Sequence, residues 1–126
     1  MARLAECCCG ALSAHCTGDP TSVSLCHCTM CQRRTGSAFG IAAFFFKEKV
    51  KITGQSKTYR RPGESGCDVV FHFCPDCGST VFWYPLSKPD KVAVGVGAFS
   101  DTRFPGPGKE VHTLNRLRWV KPLTSD

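Results

Sequence analysis

The sequence predicts a small all-β protein of packed antiparallel sheets stabilised by zinc, and three observations carry that prediction. Apolar, β-branched and aromatic runs of strand length recur between glycine, proline and polar breaks. No segment sustains a helical period over ten residues. Seven of the ten cysteines fall into three tight groups with the spacing of metal ligands: Cys7-x-Cys9-Gly10, Cys26-x-Cys28-x-x-Cys31 and Cys74-x-x-Cys77-Gly78.

Taken in chain order, the first cysteine group sits almost at the N-terminus. Two thiolates separated by one or two residues can reach one ion from a tight turn, and a following glycine lets the backbone curl so that its N–H groups face sulfur. Cys8, between two ligands, points the other way if the segment is extended and is read as a bystander. The middle group follows, with Thr29 to Thr35 able to form a short helical turn after it. Strands are predicted over Phe39 to Phe46, Val50 to Thr53, Val69 to Phe73, Thr80 to Tyr84 and Val92 to Phe99. Between the third and fourth of these lies Cys74-Pro75-Asp76-Cys77-Gly78, which has the form of a zinc knuckle. Pro105-Gly106-Pro107-Gly108 makes a turn-prone loop before a last segment containing His112 and Trp119.

A chain of 126 residues fits one domain, and an apolar share of 42% fills a modest core without a membrane span. The opening Met-Ala-Arg-Leu-Ala-Glu has no apolar stretch of signal-peptide length, so the expected location is cytoplasmic. In that reducing compartment clustered cysteines read as metal ligands rather than disulfides. The formal charge of +6 counts cysteine as neutral; seven thiolates subtract seven and two zinc ions restore four, leaving about +3. That balance suits small anionic ligands and falls short of a nucleic-acid footprint.

Ligand counting divides the metals. The outer pairs Cys7, Cys9, Cys74 and Cys77 make one closed, structural four-cysteine site. Cys26, Cys28 and Cys31 make a second site one ligand short, the arrangement used for chemistry. Spacing leaves two alternatives open: Cys74 and Cys77 completing the middle cluster, or Cys16, Cys67, His72 or His112 closing it. A zinc with three thiolates carries a net charge of about −1 and is a poor acid for water, whereas a substrate thiol bound there is held as a thiolate. The chemistry implied is the making or breaking of a carbon–sulfur bond.

These motifs in this order, with Arg33-Arg34-x-Gly36-Ser37-Ala38-Phe39 after the middle group, resemble the glutathione-dependent formaldehyde-activating enzyme family across nearly the whole chain. Tyr59, His112 and Trp119 also resemble that family's pattern. The resemblance implies a β-tent fold, two zinc ions per chain and carbon–sulfur lyase chemistry, with glutathione and formaldehyde as the namesake reactants. Fold and family do not by themselves fix the reaction.

For a thiol such as glutathione, Arg33 and Arg34 are the nearest carboxylate partners, and Arg60 or Arg61 are further candidates from the loop before the knuckle. Gly36 and Ser37 are read as a simple turn, with the alternative that its N–H groups and the Ser37 hydroxyl face the metal and bind substrate. His27, between two ligands, is expected to hydrogen-bond outward, and His112 is the better candidate for proton transfer, although a structural role suits it more. Phe44, Phe45, Phe46, Phe71, Phe73, Phe82 and Trp83 are assigned to the core or to shielding the metals. Consecutive aromatics cannot all face one side of a strand, which leaves room for a homodimer through the second face. Cys8, Cys16 and Cys67 stay free and are read as small buried residues, with an exposed thiol in a glycine-rich loop as the alternative for Cys67. Two rival functions remain: a zinc-stabilised binding module that recruits protein or nucleic acid, and a glutathione carrier without turnover.

Overall fold

The computed structural model describes residues 1–63 and 65–123. Among the described residues, ten strands form two sheets around one main core. The small sheet contains β1 (Ala2–Glu6), β2 (Ser13–Thr17) and β5 (Val50–Thr53), in the order β1-β2-β5. The large sheet has the order β10-β3-β4-β9-β8-β7-β6. Its members are β3 (Ser22–Cys26), β4 (Gly40–Phe46), β6 (Lys57–Pro62), β7 (Asp68–Phe73), β8 (Thr80–Pro85), β9 (Lys91–Gly95) and β10 (Lys109–Val111). Every pairing is antiparallel except β10 with β3, where the chain returns in parallel. The small all-β fold read from the sequence is the fold observed.

Side-chain alternation separates the two faces of the large sheet. On β4, Ala43 and Phe45 enter the main core with Val92 and Val94 of β9 and Phe82 of β8. The small sheet covers that face with Ala5, Ala14 and Cys16. Burying side chains such as Phe45 and Phe82, each worth about 1.5–3 kcal/mol, supplies the main cohesion. The intervening residues, Ala42, Phe44, Ala93, Trp83 and Phe71, form a second cluster on the opposite face. The three consecutive phenylalanines are thereby split: Phe45 is buried in the core, Phe44 half-buried behind the sheet and Phe46 exposed.

The sequence reading placed no strand at β1, β2, β3 or β10, and two further segments differ from it. The run Val92 to Phe99 leaves the sheet after Gly95 and becomes a 3₁₀ turn over Val96–Phe99, closed by Ser100 in the left-handed region. Glycines at positions 95 and 97 weaken the extended state there, and the turn buries Phe99 against the small sheet's core residues. The segment carrying Arg60 and Arg61 is an edge strand, β6, instead of a loop.

Candidate metal centres and substrate cleft

Helix α1 (Thr29–Thr35) occupies the segment expected for it. The Cys28 sulfur caps its start by accepting from the Cys31 N–H at 3.2 Å, and Gly36 ends it in the left-handed conformation with its N–H donating to the Gln32 carbonyl at 2.8 Å. This turn brings Cys28 and Cys31 back toward Cys26 at the end of β3. The three sulfurs lie within 4.8 Å of one another. Among the described residues no fourth His, Cys, Asp or Glu ligand atom joins them: Cys16, Cys67, His72 and His112, the candidates for closure, all stand outside the cluster.

The other two groups converge from opposite ends of the sequence. Cys7, Cys9, Cys74 and Cys77 form a four-sulfur cluster, also within 4.8 Å. The Cys7–Cys9 and Cys9–Cys74 sulfurs are 3.7 and 3.6 Å apart. A tetrahedron with metal–sulfur bonds of 2.3 Å has edges of about 3.8 Å, so the donor set fits zinc in both chemistry and size. Each knuckle is shaped by a left-handed glycine, Gly10 at φ 82° and Gly78 at φ 80°, and by N–H groups aimed at sulfur, from Leu12 to Cys7 at 3.2 Å and from Asp76 to Cys74 at 3.4 Å. Of the three cysteines outside the clusters, Cys16 is buried as expected, whereas Cys8 and Cys67 are exposed; the Cys8 N–H donates to the Ser79 hydroxyl.

The thiols in each cluster do not titrate alike, because neighbouring sulfurs share protons. Hydrogen bonding from Cys26, helped by Cys28 and Arg34 and opposed by burial, brings Cys31 down to about 5. The same contact with Cys31, together with burial, pushes Cys26 up. In the four-cysteine cluster the Ser79 hydroxyl and backbone bring Cys77 down to about 5. Cys9 rises to about 12: a hydrogen bond from the Ala11 backbone lowers it, but sharing with Cys74 and Cys7 and burial outweigh that.

Arg34 reaches from α1 over the outer face of the large sheet. Its guanidinium lies 4.4 Å from the Trp83 ring centre and 5.2 Å from that of Phe71. Its Nε is buried with no hydrogen-bond partner in the protein. Gly40 makes room: a Cβ there would stand 2.9 Å from Arg34 Nη2 and 3.3 Å from Cys31 Cβ. The result is a cleft of about 200 Å³ that begins at Cys26, Cys31 and Arg34 and runs along the sheet over Ala42, Phe44, Trp83 and Phe71 to Val69. A neighbouring cleft of about 280 Å³, lined by Arg33, Arg34, Arg61 and Tyr59, shares the Arg34–Phe71–Arg61 wall. Arg61 packs over Phe71 at 5.1 Å, while Arg60 turns away to pair with Asp68 at 2.6 Å. Ser37 is exposed and outside the cysteine cleft; its N–H donates to the Thr35 hydroxyl.

The family profile described as "Glutathione-dependent formaldehyde-activating enzyme" matches residues 2–115. The chain belongs to this family. A solved Rhodobacter sphaeroides protein structure shares its fold with a TM-score of 0.63 at 21% identity, covering 85% of this chain and 98% of that one. No curated protein sequence matches.

In this formaldehyde-activating family member, one buried polar network behind the three-sulfur cluster escaped sequence reasoning. His27 is fully buried, its Nε2 is 2.6 Å from Glu110 on β10, and Arg116 holds the same carboxylate at 3.1 Å. Glu110 is lowered by the His27 hydrogen bond, with burial opposing and Arg116 assisting. Gln32 of α1 ties the arrangement together by donating to the His27 and Asn115 carbonyls at 2.7 and 3.0 Å. His27 therefore points inward to the β10 segment, contrary to the outward hydrogen bond expected. His112 is exposed with φ 55° at the entrance to a 3₁₀ turn. No local spacing links residue 27 to residue 110; only the parallel β3–β10 pairing does.

Proposed function

We propose that this protein joins a thiol to an aldehyde, or cleaves the adduct, at the Cys26, Cys28 and Cys31 cluster, with glutathione or a related thiol as one reactant. The observation that carries the reading is a three-sulfur cluster with no fourth ligand among the described residues, facing a cleft beside an arginine. A zinc ion held there supplies an open coordination position for a substrate sulfur in its thiolate form. Arg34 and Arg61 offer the carboxylates of such a thiol a planar, two-pronged partner, and Arg33 extends the positive rim. The apolar sheet face lines the reacting centre with few polar groups. The four-cysteine cluster is assigned to structure, since Cys7 and Cys74 are buried within the core and stitch the β1–β2 hairpin to the β7–β8 connection.

Metal content per chain, measured with glutathione binding in the intact protein and in Cys28→Ala, tests this function. Two zinc ions falling to one with loss of glutathione binding is the expected result. One metal and no glutathione binding in either protein would replace it with the binding-module reading.

A further inference from the structure

The cysteine cleft is larger and more apolar than a one-carbon carbonyl requires. Formaldehyde would be consumed entirely at the sulfurs, whereas the cleft continues for several strands along the sheet. Its floor and walls are in register: Phe44 pairs with Ala93, Ala93 with Trp83, Trp83 with Phe71, and Val69 lies one pleat further along β7. The period-2 pattern thus directs Ala42, Phe44, Val69, Phe71 and Trp83 to the same side, with Val111 closing the edge. The body of glutathione, with two carboxylates, an ammonium and two amides, would lose water there without enough polar partners. The adjoining cleft offers Arg33, Arg34 and Arg61 to the two carboxylates. The cysteine cleft's volume of about 200 Å³ lies below the roughly 300 Å³ at which drug-sized sites begin, so a compact chain or single ring fits it.

We propose that the Cys26–Cys31 cleft holds the apolar body of an aldehyde larger than formaldehyde, while the Arg33–Arg34–Arg61 cleft holds the charged body of the thiol. The inference rests on the thiol–aldehyde reading above and names the carbonyl substrate class. The step needs no oxidant: the thiol sulfur bonds to the carbonyl carbon, the carbonyl π pair moves to oxygen, and the thiol proton ends on that oxygen to give a hemithioacetal. The reverse step returns thiol and aldehyde.

Calorimetric binding of S-hexylglutathione and S-methylglutathione to the zinc-loaded protein tests the assignment, alongside the rate at which glutathione and hexanal reach hemithioacetal equilibrium. Each methylene taken fully from water is worth about fourfold in affinity, and in a half-open cleft the hexyl compound is expected to bind at least about tenfold tighter. Ala42→Leu and Val111→Phe, which fill the cleft from floor and edge, should each reduce that ratio; two variants guard against one misfolding. Equal affinity for the two thioethers, or a preference unchanged in folded variants, would overturn the apolar-aldehyde assignment and leave the thiol reading standing. No binding of either thioether together with no acceleration by hexanal or formaldehyde would overturn both.

Discussion

The Arg34 guanidinium stacks 4.4 Å over the Trp83 indole while its charge helps hold Cys31 in the thiolate form. One side chain therefore links the aromatic wall of the cleft to the sulfur cluster. Replacing Arg34 with Met should weaken glutathione binding about tenfold, corresponding to roughly 1.4 kcal/mol for a charge-assisted contact. Arg34→Lys should recover only part of the loss, because an ammonium keeps the charge but not the planar stack. Titration calorimetry on the three proteins checks this, and equal affinity in all three would remove Arg34 from the thiol site.

Cys74→Ala and Cys28→Ala should separate structure from chemistry. Cys74 is buried in the core, whereas the middle cluster lies outside it. Structural zinc sites contribute on the order of 10 kcal/mol to folding, so Cys74→Ala should unfold the protein or lower its melting temperature steeply. Cys28→Ala should melt within a few degrees of the parent, its main local loss being a helix cap worth about 1 kcal/mol. Equivalent destabilisation of the two would contradict the division of labour.

Gly40 and Gly54 should respond differently to alanine. At Gly40 the added methyl meets the mobile end of Arg34, so the fold should survive with about 1 kcal/mol of strain while glutathione affinity falls. At Gly54 the methyl would stand 2.0 Å from the Ala11 carbonyl oxygen at φ +99°, a backbone clash that should cost about 2–4 kcal/mol. Thermal melts and binding titrations on both variants distinguish a displaced side chain from a damaged turn.

Glu110 predicts an acid limit to stability. Its carboxyl titrates below the ordinary 4.5 when folded, chiefly through His27 and then Arg116. A lowered folded value stabilises the protein above the unfolded value, and that contribution is lost as pH falls through the folded one. Glu110→Gln should therefore melt lower than the parent at neutral pH, with the gap narrowing below about pH 4.5. A gap constant from pH 7 to 3 would show that the charge contributes nothing.

The elements legible in the sequence were those whose composition matched their burial. Gly40–Phe46 and Thr80–Pro85 are apolar because each faces cluster residues on both sides, and both strands were read within one residue of their ends. β6 was missed because Lys57–Pro62 is a polar edge strand, and β2 because its core positions are only Ala14 and Cys16. The grouping of the cysteines was legible from spacing, and proximity now supports the four-plus-three partition over the alternative pairing. The cleft was not legible: its aromatic wall comes from lateral strand neighbours, whose register no local motif encodes.

The two cysteine clusters also differ in how soon each can exist on the ribosome. Residues 26 to 31 emerge together, so the three-sulfur cluster is available to metal once one short segment has been synthesised. Cys7 and Cys9 must wait for Cys74 and Cys77, more than sixty residues later. During that interval the N-terminal pair is an incomplete chelate. Zinc supply during translation would thus decide whether the first hairpin is captured by its distant partner or by other thiols in the cell.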